Sequence, residues 1–295
     1  MQGSTSLWYG RRVMVTGCSG FLGAAVTREL LNRQAHVIAL MGNRNAGKHF
    51  SSDYGSGQFH IAQGRLDDSA RIYTILAIHE VSAIFHLIDE PSHSEVTAYP
   101  RGINRQVDDS GTTAILRAAE LLHPRLPVVV AKPSAQLRIV GDSGGNPIGT
   151  ARFGELFGPD DRSTSHIIPR TIAGLLVGER INAHTDASQD YVFIRDAARA
   201  CLSLAEALGT GAEPLDVTFR SGWELNDVEM SSYTSDVFYG REPKHSLLET
   251  PANPLGWHPV MSFRDSVAET IEWYRENTLA RSVFARSADP VRNAA

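Results

Sequence analysis

The sequence predicts a doubly wound α/β protein, a parallel sheet with helices on both faces, carrying a smaller lobe toward the C-terminus. Three observations predict it. Strand-like and helix-like patterns alternate from Arg12 to Ala131. The strands read as near-continuous apolar runs, as expected where both faces of a sheet are covered. A glycine-rich turn separates the first strand from the first helix. The length of 295 residues suits one large domain with a lobe, since single cores stop growing at about 250 to 300 residues.

Each element follows from its local pattern. Arg12 to Thr16 is an apolar, β-branched run that ends in Gly17-Cys18-Ser19-Gly20-Phe21-Leu22-Gly23, and a helical pattern occupies Ala24 to Asn32. A second strand at His36 to Met41 completes a βαβ unit, and a polar loop spans Gly42 to Gln58. Phe59 to Ala62 reads as a strand, Ser69 to His79 as a helix, Ala83 to Ile88 as a strand, Gly111 to Leu122 as a helix and Leu126 to Ala131 as a strand. Pro133 to Gly149 is rich in Gly, Ser, Asp and Pro and reads mostly as loop. A helix resumes at Pro169 to Gly178, Tyr191 to Ile194 is a strand, and Asp196 to Leu208 is an amphipathic helix with Asp196 near its positive end. The segment Gly256 to Asn277 closes the fold, with Ser262 as an N-cap, Asp265 three positions later, and Val267, Ile271 and Tyr274 at helical spacing.

Composition excludes several function classes. Lys+Arg total 28 against 33 Asp+Glu, with a formal net charge of -5, so the basic surface that a nucleic-acid backbone needs is not expected. No apolar stretch approaches a membrane span, and Met1 to Arg12 lacks a signal-peptide core. The two cysteines, Cys18 and Cys201, suggest a reduced, cytoplasmic protein without a disulfide framework. No spaced His or Cys cluster suggests a metal.

The glycines at 17, 20 and 23 have a physical task between a strand and a helix: a tight turn, close approach of backbone to a pyrophosphate, and close helix-strand packing. The turn is therefore expected to hold a dinucleotide through Gly17, Ser19, Gly20, Phe21, Leu22 and Gly23, at the positive end of the helix. An NAD site usually places an acidic residue at the end of the second strand, and here that place is Met41, followed by Gly42, Asn43 and Arg44. Arg44, with Arg65 at the next strand end, is suited to a 2′-phosphate, so NADP is expected ahead of NAD; the alternative is that both arginines are solvated loop charges. Leu66 and Leu87 complete the expected cofactor contacts.

Together these residues resemble the extended short-chain dehydrogenase/reductase family, specifically its NAD-dependent epimerase/dehydratase group, and look nearest to CDP-glucose 4,6-dehydratases. The opening Val15 to Gly23 and the turn Gly64-Arg65-Leu66-Asp67-Asp68 carry the likeness. So do Ile84-Phe85-His86-Leu87, Gly111-Thr112, Arg152 to Asp161, Asp190 to Asp196 and Leu255-Gly256-Trp257-His258-Pro259. The resemblance implies a Rossmann-like dinucleotide domain over 11–152, with 190–220 returning to it. It also implies a substrate lobe over 153–189 and 221–280, leaving 281–295 as a flexible tail.

The family's chemistry depends on a Tyr-x-x-x-Lys pair on one helix face, the lysine lowering the tyrosine pKa so that it can relay a proton. This chain has no such pair. No tyrosine occurs between Tyr99 and Tyr191, and only 18 positions separate Ser134 from Arg152, where family members accommodate a further helix. Other departures surround the same pocket: Ile88-Asp89 replaces a small pair, Asp108 stands where an asparagine is expected, and Arg65 replaces an aspartate. Glu155 takes the place of an asparagine near the nucleotide diphosphate, and Gln189 that of the arginine before Asp190.

Residues at the C-terminal ends of the strands are then the candidates for other chemistry. Lys132 can act as a cation, a base or a Schiff-base former, or be an ordinary solvent-facing lysine. Asp89 with His93 is a candidate proton-transfer pair, with Ser134 beside them. Cys18 can be an activated thiol or simply a small residue that fits. His166, Arg162 and Arg170 are either anion contacts of the lobe or surface and capping residues. The expected function is dehydratase, epimerase or cyclase-type proton chemistry on a small-molecule substrate, without the usual redox pair and with the dinucleotide catalytic, structural or absent. The other reading is an inactive NADP-binding sensor or partner subunit. The lost helix, which in the family commonly builds a dimer face, implies a homo-oligomer with an altered interface.

Overall fold

The computed structural model describes residues 6–42, 57–87, 103–122, 125–131, 145–163, 165–179, 187–211, 215–245 and 251–277. Seven parallel strands form the main sheet: β1 (Arg12–Thr16), β2 (His36–Met41), β3 (Phe59–Gln63), β4 (Ala83–Leu87), β5 (Val128–Ala131), β6 (Ile148–Arg152) and β9 (Leu215–Thr218). Their spatial order is β3-β2-β1-β4-β5-β6-β9. A second sheet of three strands, β10 (Glu224–Leu225), β8 (Gln189–Phe193) and β7 (Glu155–Phe157), lies just past β6 along the chain.

The alternation inside β1 shows why both faces are covered. Val13 and Val15 enter one apolar cluster, which includes Leu22, Val26 and Leu30 of α1 (Phe21–Asn32) and Ala197, Cys201 and Leu204 of α5 (Ile194–Gly209). Met14 enters the other, with Ile72 and Leu76 of α2 (Ser69–Ile78) and Ile115 and Ala118 of α3 (Ile103–Leu122). Side chains at successive positions point to opposite faces, so a strand buried on both sides must be apolar throughout. Trp8 anchors the chain before β1, its ring 5.7 Å from Phe85 and its Nε1 donating to Glu206 at 2.6 Å.

The lobe gathers α4 (Ile167–Val177), α6 (Asp227–Phe238) and α7 (Phe263–Glu276) around the smaller sheet. Aromatic rings fill its centre, with Trp223 stacked on Phe263 at 4.3 Å and Phe157 edge-on to Phe263 at 5.4 Å. Local signals start the helices. Ser262 accepts from the Asp265 amide at 3.1 Å, as its position predicts, and Asn226 with Glu229 forms a reciprocal cap.

The structure corrects the element reading in several places. Helix α1 begins at Phe21 rather than Ala24, and α3 at Ile103 rather than Gly111. The loop expected through Gly149 ends before Ile148, where β6 starts, and β7, β9, β10 and α6 carried no sequence signal strong enough to be read. The cause is visible in β6. Gly149 and Ala151 face α5, whereas Thr150 and Arg152 face the opposite side, so the strand shows no apolar run. Opposite them across β9, Asp216 and Thr218 are exposed, and Arg152 grips Asp216 through Nε and Nη2 at 2.7 and 2.8 Å. This end of the sheet is polar on the side that α2 and α3 cover elsewhere. The segments 281–295 and 132–144 lie outside the described residues.

Candidate active site

The parallel strands all end on one edge, where an open sheet forms its crevice. At the centre of that edge β1 turns through Gly17, which has φ 69° and sits beneath the Leu87 carbonyl of β4. A Cβ at Gly17 would overlap that oxygen, and one at Gly23 would overlap the Gly17 carbonyl. Only glycine permits both approaches. The Gly20 amide donates to the Gly17 oxygen at 2.9 Å and closes the turn. Helix α1 then starts with no side chain capping Gly20 and no acidic residue in its first turn, leaving its positive end unanswered by any carboxylate there. Such a cradle fits a pyrophosphate.

Behind the turn lies a group the sequence reading did not single out. His86 of β4 is buried, with Nδ1 2.7 Å from Thr16 Oγ1 and Nε2 3.0 Å from Thr112 Oγ1. It ties β1, β4 and α3 together directly below the glycines. Burial pushes its pKa down to about 4, so it is neutral near pH 7. Its signal in the sequence was a polar residue inside an otherwise apolar strand.

The remaining expected cofactor residues are placed unevenly. Ser19 is exposed at the tip of the turn, Phe21 and Leu22 begin α1, and Leu87 ends β4. Leu66 packs over Gly111, whose Cβ would lie 3.3 Å from Leu66 Cβ. Arg65 forks onto Asp67 through Nε and Nη2 at 2.8 and 2.7 Å, a pairing that holds the Asp67 carboxyl below its ordinary value. Arg65 thus already has an anionic partner. Arg44, Asp89, His93, Lys132 and Ser134 lie outside the described residues, as does Ile88. Cys18 is 1% exposed, and burial pushes its thiol up to about 11. Of the two readings of Cys18, its burial supports the small residue that fits over the activated thiol.

Past the end of β6, the chain builds a polar cluster on one face of the small sheet. Glu155 and Tyr191 are register partners across β7 and β8. The Tyr191 hydroxyl accepts from Gln189 Nε2 at 3.0 Å and donates to Asp227 Oδ1 at 3.4 Å, and burial holds its pKa above the ordinary phenol value. His166, the residue before α4, places Nδ1 2.9 Å from Asp161 Oδ2 and Nε2 3.3 Å from Glu155 Oε1. Asp161 is buried, whereas His166 and Glu155 are partly open to solvent. Arg162 reaches Asp160 at 2.7 Å. The sequence left His166 and Arg162 as either anion contacts or surface and capping residues; the structure gives each a carboxylate of the protein.

Two further carboxylates are structural. Asp190 accepts from the amides of Ser221 and Gly222 at 2.9 and 2.8 Å and from Ser221 Oγ at 3.1 Å, while burial raises its pKa. Asp196 accepts from the Val260 amide, and its carbonyl accepts from Trp257 Nε1 at 3.2 Å. These contacts hold the late Gly256-Trp257 segment over the lobe. Among the described residues no group of His, Cys, Asp and Glu could hold a metal, and no helix is long and apolar enough to cross a membrane.

Comparison with known proteins matches this architecture. The sequence model of the NAD dependent epimerase/dehydratase family matches residues 13–135 and 130–217. A dTDP-glucose 4,6-dehydratase from an Actinoplanes species is 23% identical, covering 90% of this chain and 98% of its own. A UDP-N-acetyl-alpha-D-glucosaminuronate decarboxylase from Bacillus cytotoxicus is 22% identical with the same coverage, 90% and 98%. Among solved structures, Bordetella bronchiseptica WbmF in complex with NAD+ and UDP superposes with a TM-score of 0.73 at 16% identity, covering 95% of this chain and 97% of that one.

Proposed function

Because the chain belongs to the NAD dependent epimerase/dehydratase family, we propose that it binds a nicotinamide dinucleotide at the Gly17 to Gly23 turn. There it would carry out proton chemistry, an elimination, epimerisation or cyclisation, on a small molecule of sugar or natural-product biosynthesis. The observation that carries the binding reading is the cradle itself: two glycine contacts that admit no Cβ, and a helix start free of acidic side chains. When bound, such a cofactor can accept and return a hydride or serve only to shape the crevice. Gly17, Ser19, Gly20, Phe21, Leu22 and Gly23 would meet its pyrophosphate, with Leu66 and Leu87 against its apolar parts. NADP and NAD both enter the proposal. Arg65 is engaged by Asp67, so a preference for NADP would rest chiefly on Arg44.

The departure from the family's usual chemistry is supported by the sequence, which has no Tyr-x-x-x-Lys pair, and by the polar sheet end. Thr150, Arg152, Asp216 and Thr218 give β6 and β9 a face more polar than the rest of the sheet. Lys132, Asp89, His93 and Ser134 are the groups offered for proton transfer at the strand ends. An inactive dinucleotide-binding sensor or partner subunit is favoured by the same missing pair, and one experiment separates the readings. Protein purified without added ligand is denatured, and the released molecules are identified by mass spectrometry, followed by calorimetric titration with NAD and NADP. Bound or tightly titrating dinucleotide is the expected result; absence of both would overturn the cofactor reading. Turnover lost in Lys132→Ala, Asp89→Ala or His93→Ala places catalysis at the strand ends, and unchanged turnover in all three refutes those assignments.

A further inference from the structure

One register layer crosses the main sheet just below the edge where the strands end: Ala62, Leu40, Thr16, His86 and Val130, in neighbouring strands. All five are buried, and Ala62, Leu40 and Val130 belong to the apolar cluster under α2 and α3. Between them, Thr16 and His86 make the layer polar beneath the glycine turn. Burying an imidazole among apolar side chains is costly unless its nitrogens are bonded, and both are, Nδ1 to Thr16 Oγ1 and Nε2 to Thr112 Oγ1. The two links reach different parts of the crevice rim. Thr16 is the residue before Gly17, and Leu87, the residue after His86, sets its carbonyl against Gly17. Thr112 is the residue after Gly111, where the backbone of α3 comes so near Leu66 that a Cβ would stand 3.3 Å from Leu66 Cβ. Leu66 lies three residues past β3, which is two strands from β1, about 10 Å at the usual strand spacing.

We propose that His86 is a positioning residue of the dinucleotide site, fixing the separation of the glycine turn and the Leu66 turn through Thr16 and Thr112. The inference rests on reading the glycine turn as a dinucleotide cradle, and it deepens that reading. In sheets of this kind the pyrophosphate sits at the first turn and the adenosine half runs toward the end of the second strand, and so toward the Leu66 turn beyond it. A ligand that spans both turns gains when they are already held at one spacing, because less ordering is left for binding to impose. The network suits that task. Burial keeps the imidazole neutral near pH 7, so one nitrogen donates while the other accepts, and both threonine links form together. A buried network with its polar groups satisfied is stiff. His86 meets no ligand itself and acts through the two turns.

The test compares the natural sequence with His86→Asn, Thr112→Val, the double variant and Thr270→Val, all as the full chain. Asparagine reaches as far as Nδ1 but not Nε2, so it cuts the Thr112 link, which Thr112→Val removes from the other side. Thr270→Val deletes a buried hydroxyl of α7 in the lobe and controls for general loss of stability. Thermal melting checks folding, and titrations are run well below the lowest midpoint. NAD is titrated by calorimetry, AMP and pyrophosphate by ligand-observed NMR, and amide hydrogen exchange is followed in the free chain. Each single variant is expected to weaken NAD roughly tenfold, and the double variant no further, since both changes cut one link. AMP and pyrophosphate, which each use one turn, bind as before, while exchange rises together at 17–23 and 64–68; Thr270→Val changes none of these. Unchanged NAD affinity with lowered melting overturns the inference and leaves His86 a purely structural residue. So do additive losses in the double variant, or an equal fall for the two fragments. If His86→Asn does not fold, Thr112→Val carries the same comparison. A natural chain that binds no NAD refutes the cofactor reading; NAD binding with exchange at the two turns untouched by either variant refutes this inference alone.

Discussion

The two ends of the crevice are specified by different physics. At the glycine turn, backbone meets backbone: Gly17 under the Leu87 carbonyl, Gly23 against Gly17, with His86 tying the strands beneath. At the lobe, side chains from positions 155, 161, 166, 189, 191 and 227 meet through hydrogen bonds and ion pairs. The first arrangement tolerates almost no substitution. The second is held by side-chain charges and hydrogen bonds, so single substitutions there alter its polarity without moving backbone against backbone.

The comparison predicts its sharpest effect at Gly17. Gly17→Val puts a branched side chain at positive φ into the Leu87 carbonyl, and it should cost about 3 kcal/mol or more of stability and abolish dinucleotide binding. Chemical denaturation and calorimetry measure both. A stable Gly17→Val protein that still binds would remove the steric account of this end.

His86 predicts the next effect, and its sign is fixed by burial. Burial pushes its pKa from the ordinary imidazole range down to about 4 in the folded protein, so the unfolded chain takes up a proton that the folded one refuses. The stability it contributes is present above about pH 6.5 and is lost as pH falls toward 4, on the order of 3 kcal/mol across that window. His86→Gln should flatten this part of the stability-pH curve. An unchanged slope would assign it to other groups.

On the lobe side, Asp190→Ala strands the amides of Ser221 and Gly222 and the Ser221 hydroxyl. A loss of about 2 to 4 kcal/mol is expected, with dinucleotide affinity preserved; coupled loss of both would join the two ends into one unit. The smallest effect belongs to Arg65→Ala, because its pair with Asp67 is exposed and screened by solvent. If the fork to Asp67 is its whole role, the ratio of NADP to NAD affinity stays put. A tenfold fall would instead give Arg65 a phosphate contact.

The same contrast explains what the sequence made legible. β1 and β2 were readable to the residue because strands buried on both faces must be apolar throughout, and the glycine turn because its spacing reflects local sterics. β6 was not, since Thr150 and Arg152 break the apolar run on its polar side. Helix α6 was missed because its Ser and Thr residues favour other structures locally, and its stability comes from the Asn226-Glu229 cap and from burial of Met230 and Tyr233. The Glu155-His166-Asp161 cluster left no trace of its pairing. Its residues lie in an apparent loop and a helix start, and only the path of the chain between β7 and α4 brings Glu155 and Asp161 to opposite sides of the His166 ring.

The two buried cysteines carry a practical consequence. Cys18 lies in the glycine turn and Cys201 in the middle of α5, and burial raises the pKa of both thiols, so neither presents a ready thiolate in the folded state. Each therefore reacts with an alkylating reagent only when its surroundings open. Labelling at Cys18 would time the breathing of the turn, while labelling at Cys201 would time the separation of α5 from the sheet. The chain thus contains two native clocks, one at the mouth of the crevice and one in its core, that need no engineered probe.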